Sequence, residues 1–565
     1  MKKEPSHVTT TFSIGYHSRR NGTSGSGHQS KGNVVYADSR PTGEIYQNKS
    51  FASLFSTRGQ PAEAPWRLAL VCIFQFLEGL TDRQAAEAVQ QRIDWKYTLS
   101  LELSDSGFDY SVLSKFRARL IAGGQEMQLF DEMLALLKTQ GLLKGRGRQR
   151  TDSTHILAAV RTLNRLERVG ETMRHALNTL AEVAPHWLRA HAVPEWYERY
   201  GRRMENYRFP KAETARSELG ATIGRDGVEL LHALERATYL PSLRDLPAVE
   251  TLRQVWTEQY TDLSMETICF REKKDLDIPA NLIASPYDTE ARFSTKRGMD
   301  WVGYKVHFTE TCDEDLPHLI THVQTTVASI QDDQVLEAVH QGLSKLEVLP
   351  AIHLVDAGYT DAEGLVRSQE EYGITLTGPV AADPSWQARA AEGFEKASFL
   401  IDWERELVIC PAGKQNYSWL PNGDSSRGVI GGVRVQFSSR DCTPCPLRAH
   451  CTRAKIGPRE LILLPREQYE ALRAAKHRQN TETFREEYAM RAGIESTHSQ
   501  GIRRCDLRRT RYIGLTKTRL QHIFTAIALN MVRAVEWLTD PSPVEPSQPR
   551  TRLSRFASLE QAIAS

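Results

Sequence analysis

The stretch that most constrains the fold is Thr483 to Gly501, TFREEYAMRAGIESTHSQG. Phe484, Tyr488, Arg491, Glu495 and His498 recur at steps of four, three, four and three, so a helix sets them in one stripe. A stripe facing a core is normally apolar throughout. This one carries a guanidinium and a carboxylate, which must be desolvated together or face a ligand. A solvated amphipathic helix with an incidental charge is the plain alternative. Two other stretches weigh against it: RTDSTHIL, Arg150 to Leu157, and AIHLVDAGY, Ala351 to Tyr359. Each reads as a short strand bearing one aspartate, Asp152 or Asp356. Two strand aspartates and one helix glutamate are what divalent-metal phosphoryl transfer needs.

The rest of the chain supplies a frame for these acids. With 565 residues there is room for roughly two to four domains. Residues 1–50 are rich in Ser, Gly, Thr, Lys and Arg and lack apolar periodicity, so a mobile arm is expected. Residues 51–141 read as a helical N-terminal domain. TDRQAAEAVQQRIDWKY opens on a capping Thr81 with Asp82 in the first turn. FDYSVLSKFRARL sets Leu113, Phe116 and Leu120 on one face, with Lys115, Arg117 and Arg119 alongside. Such a domain docks a helix into a DNA groove or simply packs, and spacing leaves both open.

A basic patch, KGRGRQR at Lys144 to Arg150, leads into the first aspartate strand and opens the main span, 142–540. Residues 162–270 are strongly helical and read as an insertion after that strand. Alternating, β-branched runs at Trp301 to Glu310 and His318 to Ser329 predict two strands. Asp332 is expected to cap the helix DDQVLEAVHQGL. The next strand ends on Asp356, and GLVRSQEEYGITLTGPV adds a helix and a strand. The fold class is therefore α/β with a mixed sheet. Residues 399–464 break the pattern with short polar strands and four cysteines. Gly501 to Leu520 is strongly basic, Gln521 to Leu538 reads as a closing amphipathic helix, and 541–565 as a loose tail.

Breaking a phosphodiester requires a nucleophile and neutralised charge on the attacked and leaving oxygens. Two divalent ions about 3.5–4 Å apart do both, and carboxylates hold hard cations such as Mg²⁺. Any single acid here is weak evidence, since the chain has 70. The placement of three in this order is stronger.

At this point the chain resembles the DDE transposases of bacterial insertion sequences. Their first Asp lies on the first strand, matching Asp152 in TDSTHI, and their second ends the fourth strand, matching Asp356 in VDAGY. Their glutamate helix carries Tyr, Arg, Glu and Lys, and Tyr488, Arg491 and Glu495 match at that spacing. The Lys position holds Ile502, followed by Arg503 and Arg504, which leaves open which cation contacts the element's end. The resemblance spans roughly Ala64 to Leu538. It implies an RNase H-like core and two Mg²⁺ or Mn²⁺ ions per active site, held by Asp152, Asp356 and Glu495. It also implies DNA as partner, both element ends and target, and a homo-oligomer in the synaptic complex. Tyr488, Arg491, Arg503, Arg504, Arg508, Arg509, Arg511 and Lys517 are the expected DNA contacts. His155, His353 and His498 lie near the acids and are expected to be structural or phosphate-contacting.

Cys410 sits in CPAG, and Cys442, Cys445 and Cys451 in DCTPCPLRAHC. A C-x2-C pair, a third Cys six residues on and a distant C-P-x-G turn suit tetrahedral thiolate ligation of a structural Zn²⁺. His450 can stand in for Cys451. Four ordinary reduced cysteines are the alternative. Related transposases resemble this chain in a cysteine-rich, zinc-ribbon-like insertion before the glutamate helix. Cys72, Cys269, Cys312 and Cys505 are isolated and read as packing residues.

The formal net charge of +2 says little about partners. MKKEP is not followed by an apolar core, and the longest apolar run, Leu68 to Leu77, is about half a membrane span. A cytoplasmic, nucleoid-associated protein that does not enter membranes is expected. Two rivals remain: an RNase H-like nuclease without strand transfer, and a domesticated DNA-binding protein that has lost catalysis. Intact acids argue against the second.

Overall fold

The structure is a computed structural model, and it describes residues 45–55, 63–204, 209–237, 241–261, 267–296, 298–390, 393–422 and 431–539. Its main sheet contains β1 (Arg148–Leu157), β2 (Arg292–Lys296), β3 (Met299–Thr311), β4 (Ile320–Val327), β5 (Ile352–Val355) and β6 (Thr375–Thr377). β3 pairs antiparallel with β1 along one edge and with β4 and β2 along the other. β5 pairs parallel with β1, and β6 parallel with β5. The strands run β4–β3–β1–β5–β6, with β2 on the first residues of β3. This is the mixed sheet that the sequence implies, and β2 is a strand that sequence reading missed.

Among the described residues, five α-helices precede the sheet: α1 (Pro65–Glu78), α2 (Asp82–Gln91), α3 (Ile93–Thr98), α4 (Ser111–Ala122) and α5 (Glu126–Thr139). Thr81 caps α2 in a reciprocal box with Gln84, as its position predicts. These helices are not a separate body. Their Phe74, Phe116 and Phe130 lie in one buried cluster with Tyr304 and Phe308 of β3. The same cluster takes in Ile523 and Phe524 of a closing helix, and Phe76 stacks on Phe524 at 5.5 Å. One buried cluster therefore runs across the boundary expected near residue 141. The basic face of α4 is also corrected. Arg117 is buried, bonded to Gln75 and, at 2.5 Å, to Asp82, while Lys115 and Arg119 are exposed.

The last residues of the expected arm, from Ile45, pack against the fold. Tyr46 and Phe51 are buried, and the Tyr46 hydroxyl donates to the Leu129 carbonyl at 3.0 Å. Residues 1–44 and the tail from 540 lie outside the described residues.

Between β1 and β2 stand α6 (Arg165–Val183), α7 (Pro185–His191), α8 (Pro194–Tyr200), α9 (Glu213–Arg236) and α10 (Pro247–Gln259). They enclose a core of their own, built on Trp187, Trp196, Trp256 and Tyr260, so the helical insertion has its own hydrophobic centre. α11 (Leu336–Lys345) and α12 (Ala362–Tyr372) follow β4 and β5. Asp332 does not cap α11. Its carboxylate accepts from Ser153 Oγ at 3.1 Å and pairs with Lys305 Nζ at 3.1 Å, because the chain enters α11 through a 3-10 turn, Asp333–Val335.

After α13 (Trp386–Ala390) the cysteine-rich region forms a β7 (Leu400–Asp402) and β8 (Leu407–Ile409) hairpin. A second sheet joins β9 (Asn416–Pro421), β10 (Val433–Phe437) and β11 (Glu460–Leu463), with α14 (Ser439–Cys442) and α15 (Arg448–Cys451) between the last two. Phe399, Val435, Phe437 and Leu461 form its core. α16 (Arg466–Arg478) packs on α12, then come α17 (Glu482–Ala489), α18 (Gly493–Cys505) and the closing α19 (Leu515–Thr539). Among the described residues no helix is long and apolar enough to cross a membrane.

Candidate catalytic site

Asp152 lies inside the sheet, on β1 between β3 and β5, with its side chain only 12% exposed. Asp356 follows the last residue of β5 and caps a 3-10 turn, accepting from the Ala357 N–H at 2.8 Å. Parallel pairing of Thr151 with Val355 brings the two aspartates to the same end of adjacent strands. Glu495 comes from the first turn of α18 and is 70% exposed.

The expected single helix over Thr483 to Gly501 is broken. A 3-10 turn, Met490–Ala492, joins α17 to α18, and Arg491 sits in it. His498 goes into the core, stacked on Phe308 at 5.6 Å, whereas Glu495 stays at the surface.

All three acids meet one cation. Arg491 Nη2 lies 2.7 Å from Asp152 Oδ2 and 3.6 Å from Asp356 Oδ2, and Nη1 lies 3.6 Å from Glu495 Oε1. Three carboxylates against one guanidinium leave a formal excess of two negative charges. Burial raises the Asp152 carboxyl above its ordinary range, against the lowering influence of Arg491, the Ser153 N–H and Lys296. Burial likewise pulls against the Arg491 charge, but Asp152 and Asp356 outweigh it and the guanidinium is held more firmly protonated. Burial holds His155 and His498 down to about 4, so both are neutral at pH 7.

The expected DNA contacts divide into two groups. Arg503, Arg509 and Lys517 are exposed, and Arg504 is half-buried. Ile502, in the position of the expected lysine, packs against the main core. Arg508 is engaged within the protein, donating to Thr154 Oγ1 at 3.0 Å and to the His155 carbonyl at 3.0 Å. Arg511 donates to the Leu80 carbonyl at 2.6 Å and lies over Phe76. These two tie the basic segment to β1 and to the end of α1. Tyr488 is half-buried and stacks on Phe484 at 5.4 Å. The KGRGRQR patch is likewise engaged: Lys144 pairs with Asp315, Arg146 with the Tyr372 and Gly373 carbonyls, and Arg150 with Glu310.

Cys410, Cys442, Cys445 and Cys451 line one cavity of about 30 Å³ beside Phe394 and Phe437. Burial pushes the Cys451 thiol up, and the other three sulfurs add to that. Among the described residues, no three His, Cys, Asp or Glu side chains are gathered closely enough to hold a metal ion as they stand. At the acid site Arg491 stands between the carboxylates. Of the isolated cysteines, Cys72, Cys312 and Cys505 are buried as expected, but Cys269 is exposed.

Sequence reading missed Glu310, Arg533 and Lys305. Each is a charged residue on an otherwise core-forming element, and pattern gives no sign of which partner it finds.

Two family models match the chain. One, described as a transposase DDE domain, covers residues 409–535, which include Glu495 and the cysteines but neither aspartate. The other, described as a transposase domain (DUF772), covers residues 40–119, which take in α1, α2, α3 and most of α4. No curated protein matches. Two transposase models, one at the helical N-terminal end and one over the glutamate helix, together indicate an insertion-sequence DDE transposase.

Proposed function

We propose that this protein cleaves the ends of an insertion sequence and joins them to target DNA, with Asp152, Asp356 and Glu495 holding two Mg²⁺ or Mn²⁺ ions in an RNase H-like core. The observation that carries this reading is the convergence of three carboxylates, from three separate elements, on the single guanidinium of Arg491. They are hard oxygen donors with an excess of negative charge, so the residues suit such ions. When bound, divalent ions neutralise charge on the attacked and leaving oxygens. The strand order β4–β3–β1–β5–β6 supports the RNase H-like reading.

The chain's own residues then position the substrate. Asp152 and Asp356 are fixed by strand pairing and a cap, whereas Glu495 stands at the open side, where DNA arrives. Arg491 is placed to hold a phosphate oxygen beside the scissile bond, with Tyr488 one turn away. Water attacks a phosphodiester at the element's end and displaces its 3′-oxygen as a hydroxyl; that 3′-hydroxyl then attacks a target phosphodiester and displaces the target's own 3′-oxygen. Arg503, Arg504, Arg509 and Lys517 follow the DNA backbone outward. The helices of residues 51–141 hold the element's end, and two copies of the chain bring two ends together in the cytoplasm, on the nucleoid. The four cysteines line one small cavity without being drawn together as they stand, and would close on one structural Zn²⁺ as soft ligands.

The test is substitution without loss of volume. Asp152→Asn, Asp356→Asn and Glu495→Gln should each abolish cleavage of end DNA with Mg²⁺ while leaving binding measurable. A mutant that cleaves at near wild-type rate removes that residue from the site.

A further inference from the structure

Glu310, on β3, has no exposed surface and yet is charged. Burial pushes its carboxyl up, but Arg533 and Arg150 outweigh that and hold it below the ordinary range. Oε1 accepts from Arg150 Nε at 2.7 Å, and Oε2 accepts from Arg533 Nη1 at 2.8 Å and from Thr497 Oγ1 at 2.5 Å. Arg533 also donates to Thr497 Oγ1 at 2.6 Å and to Gln500 Oε1 at 3.1 Å. Arg150 Nη1 reaches the Met490 carbonyl at 2.5 Å.

Burying three charges contributes little to net stability, and well-packed apolar residues do as well or better. What this network does have is location. Arg150 precedes Asp152 by two residues on β1 and so shares its face of the strand. Met490 immediately precedes Arg491, and Thr497 follows Glu495 by two. The network therefore grips the glutamate helix on both sides of Glu495 and ties it to the strand of Asp152. Gly493 belongs to the same device: a Cβ there would stand 2.1 Å from Arg150 Nη1, so a larger residue would push the guanidinium from its place beneath the start of α18.

We propose that Glu310, with Arg150, Arg533 and Thr497, acts as a positioning unit that sets the height and rotation of the glutamate helix on β1. It thereby sets the spacing of Glu495 and Arg491 from Asp152. The inference rests on the reading of these acids as metal ligands. Residues that orient carboxylate ligands from behind typically change metal affinity by about 10–100-fold when altered.

The experiment uses the full chain and Mn²⁺ alone as probe, with binding read by electron paramagnetic resonance and folding by thermal unfolding. Glu310→Gln removes the hub charge. Thr497→Val removes one hydroxyl at nearly constant volume and decides the question if Glu310→Gln does not fold. Both should unfold cooperatively and bind Mn²⁺ about tenfold or more weakly, with cleavage of end DNA recovering as Mn²⁺ is raised. Asp152→Asn, the control, should show no recovery. Wild-type Mn²⁺ affinity in folded Thr497→Val and Glu310→Gln, beside lost affinity in Asp152→Asn, overturns the positioning role alone. Wild-type affinity in Asp152→Asn overturns the metal reading and this inference with it.

Discussion

Arg491 Nη2 lies 2.7 Å from Asp152 Oδ2, and both side chains are nearly as buried as core residues, at 13% and 12% exposed. The same guanidinium touches the two other acids at longer range. A single cation thus balances the one carboxylate that burial penalises most. The arginine expected to hold a phosphate therefore also governs the ionisation of the buried aspartate.

That coupling has a sign. Burial raises the Asp152 carboxyl and Arg491 lowers it, so Arg491→Ala should raise it further. Cleavage needs the ionised acid, and the acid limb of the pH profile should move to higher pH. Arg491→Lys should restore part of the shift, because the charge returns without the fork. Measuring end-DNA cleavage from pH 5 to 8 checks this, and an unmoved acid limb in Arg491→Ala would separate the guanidinium from Asp152.

Salt dependence sorts the basic residues. Arg503, Arg509 and Lys517 are exposed, and each DNA phosphate that one of them neutralises should add about 0.9 to the steepness of the log–log salt dependence of binding. The triple alanine variant should flatten that slope by about two to three units and keep its thermal stability. Arg508→Ala should do the reverse, keeping the slope and losing about 1.5–3 kcal/mol of stability with its bonds to Thr154 and His155. End-DNA titrations at several salt concentrations, beside thermal melts, distinguish the two groups.

Zinc has its own readout. Protein purified without chelator should carry about one Zn²⁺ per chain, and Cys442→Ser/Cys445→Ser should lose it together with stability of the β9–β10–β11 sheet. Equal metal content in the two proteins removes the idea.

The interior is rich in neutral histidine. Burial holds His322, His340 and His498 down to about 4 and His307 and His522 to about 3, and His353 is also well below 6.5. Their stabilising contribution is complete above pH 6.5 and is lost as pH falls toward the folded values, because the unfolded chain binds the proton first. Each adds a slope of about 1.4 kcal/mol per pH unit within that window. The urea midpoint should therefore fall steeply from pH 7 to pH 5, and a midpoint that holds or rises contradicts the assignment.

The aspartates are legible in sequence because β-branched and apolar neighbours announce a strand whatever surrounds it. Glu495 is legible through the stripe containing Tyr488 and Arg491. The break at Met490–Ala492 is not, since AMRAG consists largely of good helix formers, and the turn follows from Arg150 bonding the Met490 carbonyl. Asp332 reads as a cap because Asp commonly caps, yet Ser153 and Lys305 claim it from distant strands. Tertiary partners decided both cases, and periodicity carries no information about them. The packing of α1 is likewise hidden in the sequence, because its partner α19 lies at the other end of the chain.

The stack of Phe76 on Phe524 and the bond from Arg511 to the Leu80 carbonyl have a consequence for how the protein is made. Roughly 450 residues separate the two rings, which at about 5–20 residues per second of synthesis is on the order of half a minute or more. For that interval the apolar side of α1 has emerged from the ribosome without its partner, and the shared core closes only when α19 follows. A chain cut short before α19 leaves that core open and lacks Arg533, so only copies translated through α19 complete the shared core.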